Sequence, residues 1–226
     1  VKPVAFERPG RFVGSLMSAA MLYENRTCDE LILLDIDATP NDRAPRFESI
    51  KQFTSKLFCP VAVGGGVRSL EDIRGLLNAG ADKVAVRTHA SPEFIRRASA
   101  KFGSQCIVVA IDYTTYPERV CDDVGMVLVR ARQAEMSGAG EIILTNMNRD
   151  GTRNGYDLET IKLICGTVKI PVVANGGCSG PQDMLAAVRA GAHAVAASSV
   201  FLFDNVTPQT CKEYLDKEGV PVRMET

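Results

Sequence analysis

Gly64-Gly65-Gly66-Val67-Arg68-Ser69-Leu70-Glu71-Asp72 returns later in the chain as Asn175-Gly176-Gly177-Cys178-Ser179-Gly180-Pro181-Gln182-Asp183. Each copy follows an apolar strand-like run, Pro60-Val61-Ala62-Val63 or Ile170-Pro171-Val172-Val173-Ala174, and opens an amphipathic helical pattern. Working outward at the same offset, Leu77 to Ala85 lies over Val188 to Ala196, Thr88 over Ser199, and Glu30 to Asp37 over Glu141 to Asn148. In-register similarity of this length marks a duplicated half-domain. A glycine turn between strand and helix lets backbone approach a ligand and aims free N–H groups at an anion, so two such turns point to two anion sites.

The pass along the chain gives seven strand-helix units whose strands read as continuous apolar runs, the mark of a parallel sheet covered by helices. Strands are expected at 30–35, 60–63, 83–87, 105–112, 141–146, 169–175 and 194–199, and a loop at 113–123. A doubly wound sheet and a (β/α)8 TIM barrel both fit. Two equal halves favour the barrel, closed by two-fold symmetry without edge strands, as a single domain over residues 1–226. Val1 to Phe6 reads as the tail of a strand or hairpin, and the first barrel strand is expected ahead of it.

The 226 residues are 46% hydrophobic and 23% charged with a net charge of −1, and no block of like charges occurs. That composition supports a sizeable core and argues against nucleic-acid or membrane-surface partners. Seven cysteines without a C-x-x-C pair read as reduced thiols in a cytoplasmic protein, and no run approaches membrane-spanning length.

In a barrel the chemistry sits at the strand C-termini. The residues there are Asp35 and Asp37, Gly64 to Gly66, Arg87 and Thr88, Asp112, Thr145 to Asp150 with Gly151, Asn175 to Gly177, and Ser198 with Ser199. Hydroxyls, glycines and carboxylates without histidine disfavour a zinc site or a nucleophile triad. His89 and His193 are read as structural, and neither metal nor cofactor is expected. Gly66 with Thr88, and Gly177 with Ser199, combine backbone N–H and hydroxyl into two phosphate cradles; turns that merely pack strand on helix are the alternative. Asp112 ends the apolar strand Ile107 to Ile111, where general acid-base work competes with simple satisfaction by loop N–H groups. Asp150 precedes Gly151, which is also plain turn chemistry. At the strand starts stand Glu30, Lys83, Gln105 and Glu141, either meeting solvent or forming a charged ring on the barrel floor.

These stretches resemble the cyclase subunit of imidazole glycerol phosphate synthase, the HisF family of histidine biosynthesis. The similarity rests on Asp29-Glu30-Leu31 through Asp35, Val63 to Ser69, Gly80 to Val84, Gly103-Ser104-Gln105 through Asp112, Gly138 to Glu141, Arg149-Asp150-Gly151-Thr152, Gly155-Tyr156-Asp157, Ala196 to Phe201 and Lys212 to Arg223. It implies two duplicated half-barrels, a phosphorylated small-molecule substrate, and ammonia received from a glutaminase subunit in a heterodimer. On that resemblance the catalytic residues are Asp112 and Lys2. Asp35, Gly66, Arg87, Thr88, Asp150, Gly151, Asn175, Gly176, Gly177, Ser198 and Ser199 bind substrate and its phosphates. Glu30, Lys83 and Glu141 form the ammonia gate, with Asp82 and Gln105 beside it facing the glutaminase. Three departures stand out: the family's first strand would precede Val1, the loop after Asp112 lacks its Gly-rich flap, and Arg87 replaces an asparagine. Asp37, where threonine is usual, looks more like paralogues of surface-polysaccharide clusters, which pass ammonia to a sugar amidotransferase. An ammonia-conducting module of that kind is the second reading, beside the cyclase.

Overall fold

The computed structural model describes residues 2–4, 7–11, 14–115 and 124–224. The chain opens on an antiparallel hairpin of β1 (Lys2–Val4) and β2 (Glu7–Arg11), with Lys2 opposite Arg11. Beyond it the chain falls into two compact units: Ser15–Ala110 with Gln133–Glu141, and Ile111–Arg132 with Ile142–Thr226, the latter also holding residues 1–14.

The first of these runs α1 (Leu16–Glu24), β3 (Leu31–Leu34), α2 (Phe47–Thr54), β4 (Val61–Gly64), α3 (Leu70–Asn78), β5 (Lys83–Val86) and α4 (Pro92–Phe102), then enters β6 (Ile107–Tyr113). Its strands are parallel and pair in chain order, Leu31 with Val61, Ala62 with Lys83, and Val84 with Ile107. All four residues of β4 are buried, as are Ile107 to Ile111 of β6. Burying each such Val or Ile side chain stabilises the fold by about 1.5–3 kcal/mol. Helices α1, α3 and α4 start at side-chain caps, whereas α2 starts at Arg46 without one. Ser69 and Asp72 form a reciprocal capping box on α3, and Ser91 accepts from the Phe94 N–H with Pro92 at the first position of α4.

The second unit begins at Ile111, within β6, takes α5 (Val124–Met136) as far as Arg132 and β7 (Glu141–Asn146) from Ile142, and continues through α6 (Leu158–Cys165), β8 (Val172–Asn175), α7 (Pro181–Arg189), β9 (Ala194–Ala196), α8 (Ser199–Phe203) and α9 (Pro208–Lys217). Here too the order is sequential: the Met147 N–H donates to Tyr113 O, Ile142 pairs with Val172, and Val173 with Ala194. A doubly wound sheet needs a point where strand order reverses. Neither unit contains one, so the pattern is the α/β barrel type read from the duplicated sequence.

Several boundaries depart from the sequence reading. The strand expected from Lys169 starts at Val172, because Pro171 has no N–H for a ladder and instead offers its carbonyl to Ile142 N. The strand expected to reach Ser199 ends at Ala196, and Ser199 instead opens the short α8, whose Val200 and Phe201 are buried. Tyr113 belongs to β6 rather than to the following loop. Gln105 sits in a 3-10 turn, Ser104–Cys106, and not in the strand. The rest of that expected loop, 116–123, lies outside the described residues.

Candidate functional site

Successive strand residues point to opposite faces, and hydrogen bonds fix which face is which at the ends of β6 and β7. The Tyr113 hydroxyl donates to Asp157 Oδ2 at 3.0 Å, Asn146 Nδ2 to the same oxygen at 3.1 Å, and Thr160 Oγ1 at 2.8 Å. Asp157 also caps α6, taking the Thr160 N–H on Oδ1 at 3.4 Å. All four residues are buried. Burial first, and then the Asp157 carboxylate, push the Tyr113 hydroxyl well above its ordinary value. With Tyr113 and Asn146 turned toward α6, their neighbours Asp112 and Thr145 take the opposite face. Asn175 lies level with Thr145 and donates to its Oγ1 at 3.2 Å. Asp112, Thr145 and Asn175 therefore share one face, and Asp112 is the one residue of β6 that is not fully buried.

The loops beyond are tied down. Asn148 Oδ1 accepts from the Thr114 hydroxyl and the Thr115 N–H. Arg149 donates to the carbonyls of Asn154, Gly155 and Tyr156. Between them Asp150 is buried, with its N–H on Asn146 O, and Gly151 has φ 76°.

Both glycine turns share a geometry. Gly65 and Gly66 have φ 104° and 72°, and Gly176 and Gly177 have 94° and 105°. A side chain at Gly65 would strike Asp35 O and one at Gly176 would strike Asn146 O, and these two are themselves duplicates. Asp72 Oδ2 accepts from the N–H groups of Arg68 and Ser69, and Asp183 Oδ2 accepts from that of Ser179. Packing thus accounts for part of the glycine requirement, and Asp72 and Asp183 take turn N–H groups at Arg68, Ser69 and Ser179. The third element differs between halves. Thr88, with Arg87, is exposed in a turn after β5, whereas Ser199 is buried at the start of α8 behind the half-buried Ser198. Asp35 has both oxygens taken by Arg43 Nη2, at 3.0 and 2.8 Å.

At the strand starts of the first unit, Lys83 Nζ donates to Glu30 Oε2 at 2.8 Å and to Glu141 Oε2 at 2.7 Å. Burial works against the Lys83 charge, but its hydrogen bonds to Glu141 and Glu30 outweigh that and raise its pKa. Burial raises Glu30, aided by the like charges of Glu141 and Asp82 and only partly offset by Lys83. Asp82 accepts from the Val61 N–H at 2.8 Å, and Gln105 is exposed in its 3-10 turn. Lys2 stands in β1, with its side chain outside the described residues. His193, one of the two histidines read as structural, takes the Val172 N–H on Nδ1 at 3.4 Å. Among the described residues no group of three His, Cys, Asp or Glu could hold a metal ion, and no helix is long and apolar enough to cross a membrane.

The family model described as histidine biosynthesis protein matches residues 3–207. The chain belongs to this family. Within it, the chain is 40% identical to the putative imidazole glycerol phosphate synthase subunit hisF2 of Campylobacter jejuni, over 99% of this chain and 93% of that one. It is 42% identical to the imidazole glycerol phosphate synthase subunit HisF of Endomicrobium trichonymphae, over 93% and 85%, and 39% identical to that of Leptospira biflexa, over 93% and 88%. As a HisF-family protein it carries the resemblance read from Gly103 to Asp112 and Arg149 to Thr152. The HisF motifs did not single out Asp72, Asp183, Arg43 or the buried Tyr113–Asp157 pair. Of these, the Asp72/Asp183 duplication and Asp157, within the Gly155-Tyr156-Asp157 match, were visible in the sequence, but the Tyr113 partner of Asp157 was not.

Proposed function

We propose that this chain is the ammonia-using cyclase subunit of an imidazole glycerol phosphate synthase, acting in the cytoplasm as a single (β/α)8 domain paired with a glutaminase subunit. The Glu30–Lys83–Glu141 triad carries the reading. A half-buried cation held by two carboxylates at the strand starts can give up one pair while keeping the other. Leaving either charge wholly unpaired would cost several kcal/mol. A small neutral molecule such as ammonia passes such a gate without adding charge, and Asp82 and Gln105 flank it toward the glutaminase.

The substrate is the open-ring bisphosphate nucleotide of the histidine pathway. One phosphate lies at Gly66 and Thr88 with Arg87 beside it, the other at Gly177 with Gly176, Ser198 and Ser199. Asp35, Asn175, Asp150 and Gly151 hold the intervening polar groups. Asp112 moves the proton as ammonia enters and the imidazole ring closes, with Lys2 as the second catalytic group; the products are imidazole glycerol phosphate and the aminoimidazole carboxamide nucleotide. The test is turnover of that nucleotide with an ammonium salt alone: appearance of both products supports the cyclase, and their absence removes it.

A second reading is an ammonia-conducting barrel that serves a glutaminase and a sugar amidotransferase in surface-polysaccharide biosynthesis. Asp37, exposed in the turn after β3, favours it. Glutamine-dependent transfer to such an amidotransferase, with no cyclase products, would select this reading.

A further inference from the structure

Cys28 lies in the segment between α1 and β3, and Cys59 in the segment leading into β4. Their sulfurs are 3.7 Å apart, within thiol hydrogen-bond distance, across a separation of 31 residues. Both are free and only half-buried, and Phe58 beside Cys59 is 95% exposed, so a small reagent has access. The approach is held from both sides. Thr27 has φ 56°, a left-handed conformation unusual for a β-branched residue, which turns the chain immediately before Cys28. On the other side Glu24, at the end of α1, accepts the Phe58 N–H at 3.2 Å on Oε2 and fixes the residue preceding Cys59. The two segments then enter neighbouring strands, joined by the Leu31 N–H to Pro60 O bond at 2.9 Å.

We propose that Cys28 and Cys59 form a dithiol site that closes reversibly to an intrachain disulfide, with a low-molecular-weight disulfide as oxidant. One protein thiolate attacks the small disulfide and releases one small thiol. The second protein thiol then loses its proton and attacks the mixed disulfide, forming the Cys28–Cys59 bond and releasing the second small thiol. The protein loses two electrons and two protons, and the oxidant becomes two thiols. Burial first, and the neighbouring thiol and Glu24 after it, push Cys59 up to about 12, and burial also raises Cys28. A poorly ionised thiol attacks slowly and leaves slowly, so the reduced pair resists casual oxidation and the bond, once closed, resists reduction. Closure pins the segment that carries Glu30, two residues beyond Cys28.

The experiment uses the whole chain with glutathione disulfide, followed by alkylation, trypsin and mass spectrometry. Cleavage after Arg26, Arg43, Lys56 and Arg68 leaves Cys28 alone in peptide 27–43 and Cys59 alone in peptide 57–68. The expected product is these two peptides linked, lost on treatment with dithiothreitol, with an unfolding midpoint raised by roughly 5 °C or more in the oxidised protein. In Cys28→Ser the linked peptide and the rise should both vanish, leaving a glutathione adduct on Cys59. Both cysteines fully alkylated after oxidation, or each carrying glutathione with no linked peptide, would overturn the proposal.

Discussion

Replacing Asp157 by alanine should be among the most damaging single changes outside the hydrophobic core. Its carboxylate receives Tyr113, Asn146 and the Thr160 hydroxyl on one oxygen, and caps α6 with the other. Alanine would leave these donors buried and without that acceptor, at about 1–3 kcal/mol for each one left unsatisfied. Loss of the cap adds roughly 0.5–2 kcal/mol. Relaxation and non-additivity bring the expected total to about 3–5 kcal/mol, a large share of the roughly 5–15 kcal/mol that holds a typical domain. Tyr113→Phe removes one donor and leaves Asp157 its other partners, so it should cost only about 1 kcal/mol. The Tyr113 contribution also has a pH sign. Its folded pKa is raised, so the stabilisation is full below the ordinary tyrosine value and disappears as pH rises through the folded one. Urea unfolding followed by circular dichroism gives both differences. A loss under 1 kcal/mol for Asp157→Ala, or equal losses for the two variants, would refute the view that one buried carboxylate organises the ends of β6 and β7.

Asp112→Asn should lower ammonia-dependent cyclisation by about 10²–10⁴ while leaving the unfolding midpoint near wild type, since a single proton-transferring group contributes on that order; undiminished turnover removes its assignment. Gly66→Ala and Gly177→Ala should each cost at least about 1–2 kcal/mol from the left-handed backbone alone. The further loss comes from contact with Arg43 O or Gly155 O. Gly219→Ala, also at positive φ but with open space around it, is the control, and an equal loss there would mean that packing at the turns contributes nothing. Because Glu30 has a raised pKa in the folded protein, its contribution is full below the ordinary carboxylate range and is lost as pH rises through the folded value. Glu30→Gln should therefore gain stability relative to wild type as pH rises above the ordinary carboxylate range; a flat difference contradicts the shift.

The parts of this fold that were legible in the sequence are those that repeat. Gly65-Gly66 and Gly176-Gly177 occupy the same positive φ region because both must pass the end of the preceding strand. The recurrence of Glu30 as Glu141, with Lys83 of opposite sign, marked the strand starts whose side chains do meet. What stayed hidden depends on tertiary contact without period. In the sequence Asp157 stands only within the Gly155-Tyr156-Asp157 match, with nothing to announce that Tyr113, 44 residues earlier, reaches it. Arg43 lies in an aperiodic loop, with nothing to announce that it would take both oxygens of Asp35. The offset aligned Thr88 with Ser199, but one half places an exposed turn there and the other a buried helix start, because Val200 and Phe201 have a core to enter. Cys28 and Cys59 looked like scattered thiols, since their approach depends on the Thr27 turn.

The most direct test of the account is Lys83→Ala, assayed in the complex with the glutaminase using glutamine and, separately, an ammonium salt as nitrogen source. Without Lys83, Glu30 and Glu141 lose the cation they share, and on the proposed reading the strand-start gate loses its closure. The account predicts that glutamine-supported product falls, or that glutamine is hydrolysed without product, while ammonium-supported product is kept. Equal losses with both nitrogen sources would contradict it, and would make the triad a structural clasp that gates nothing.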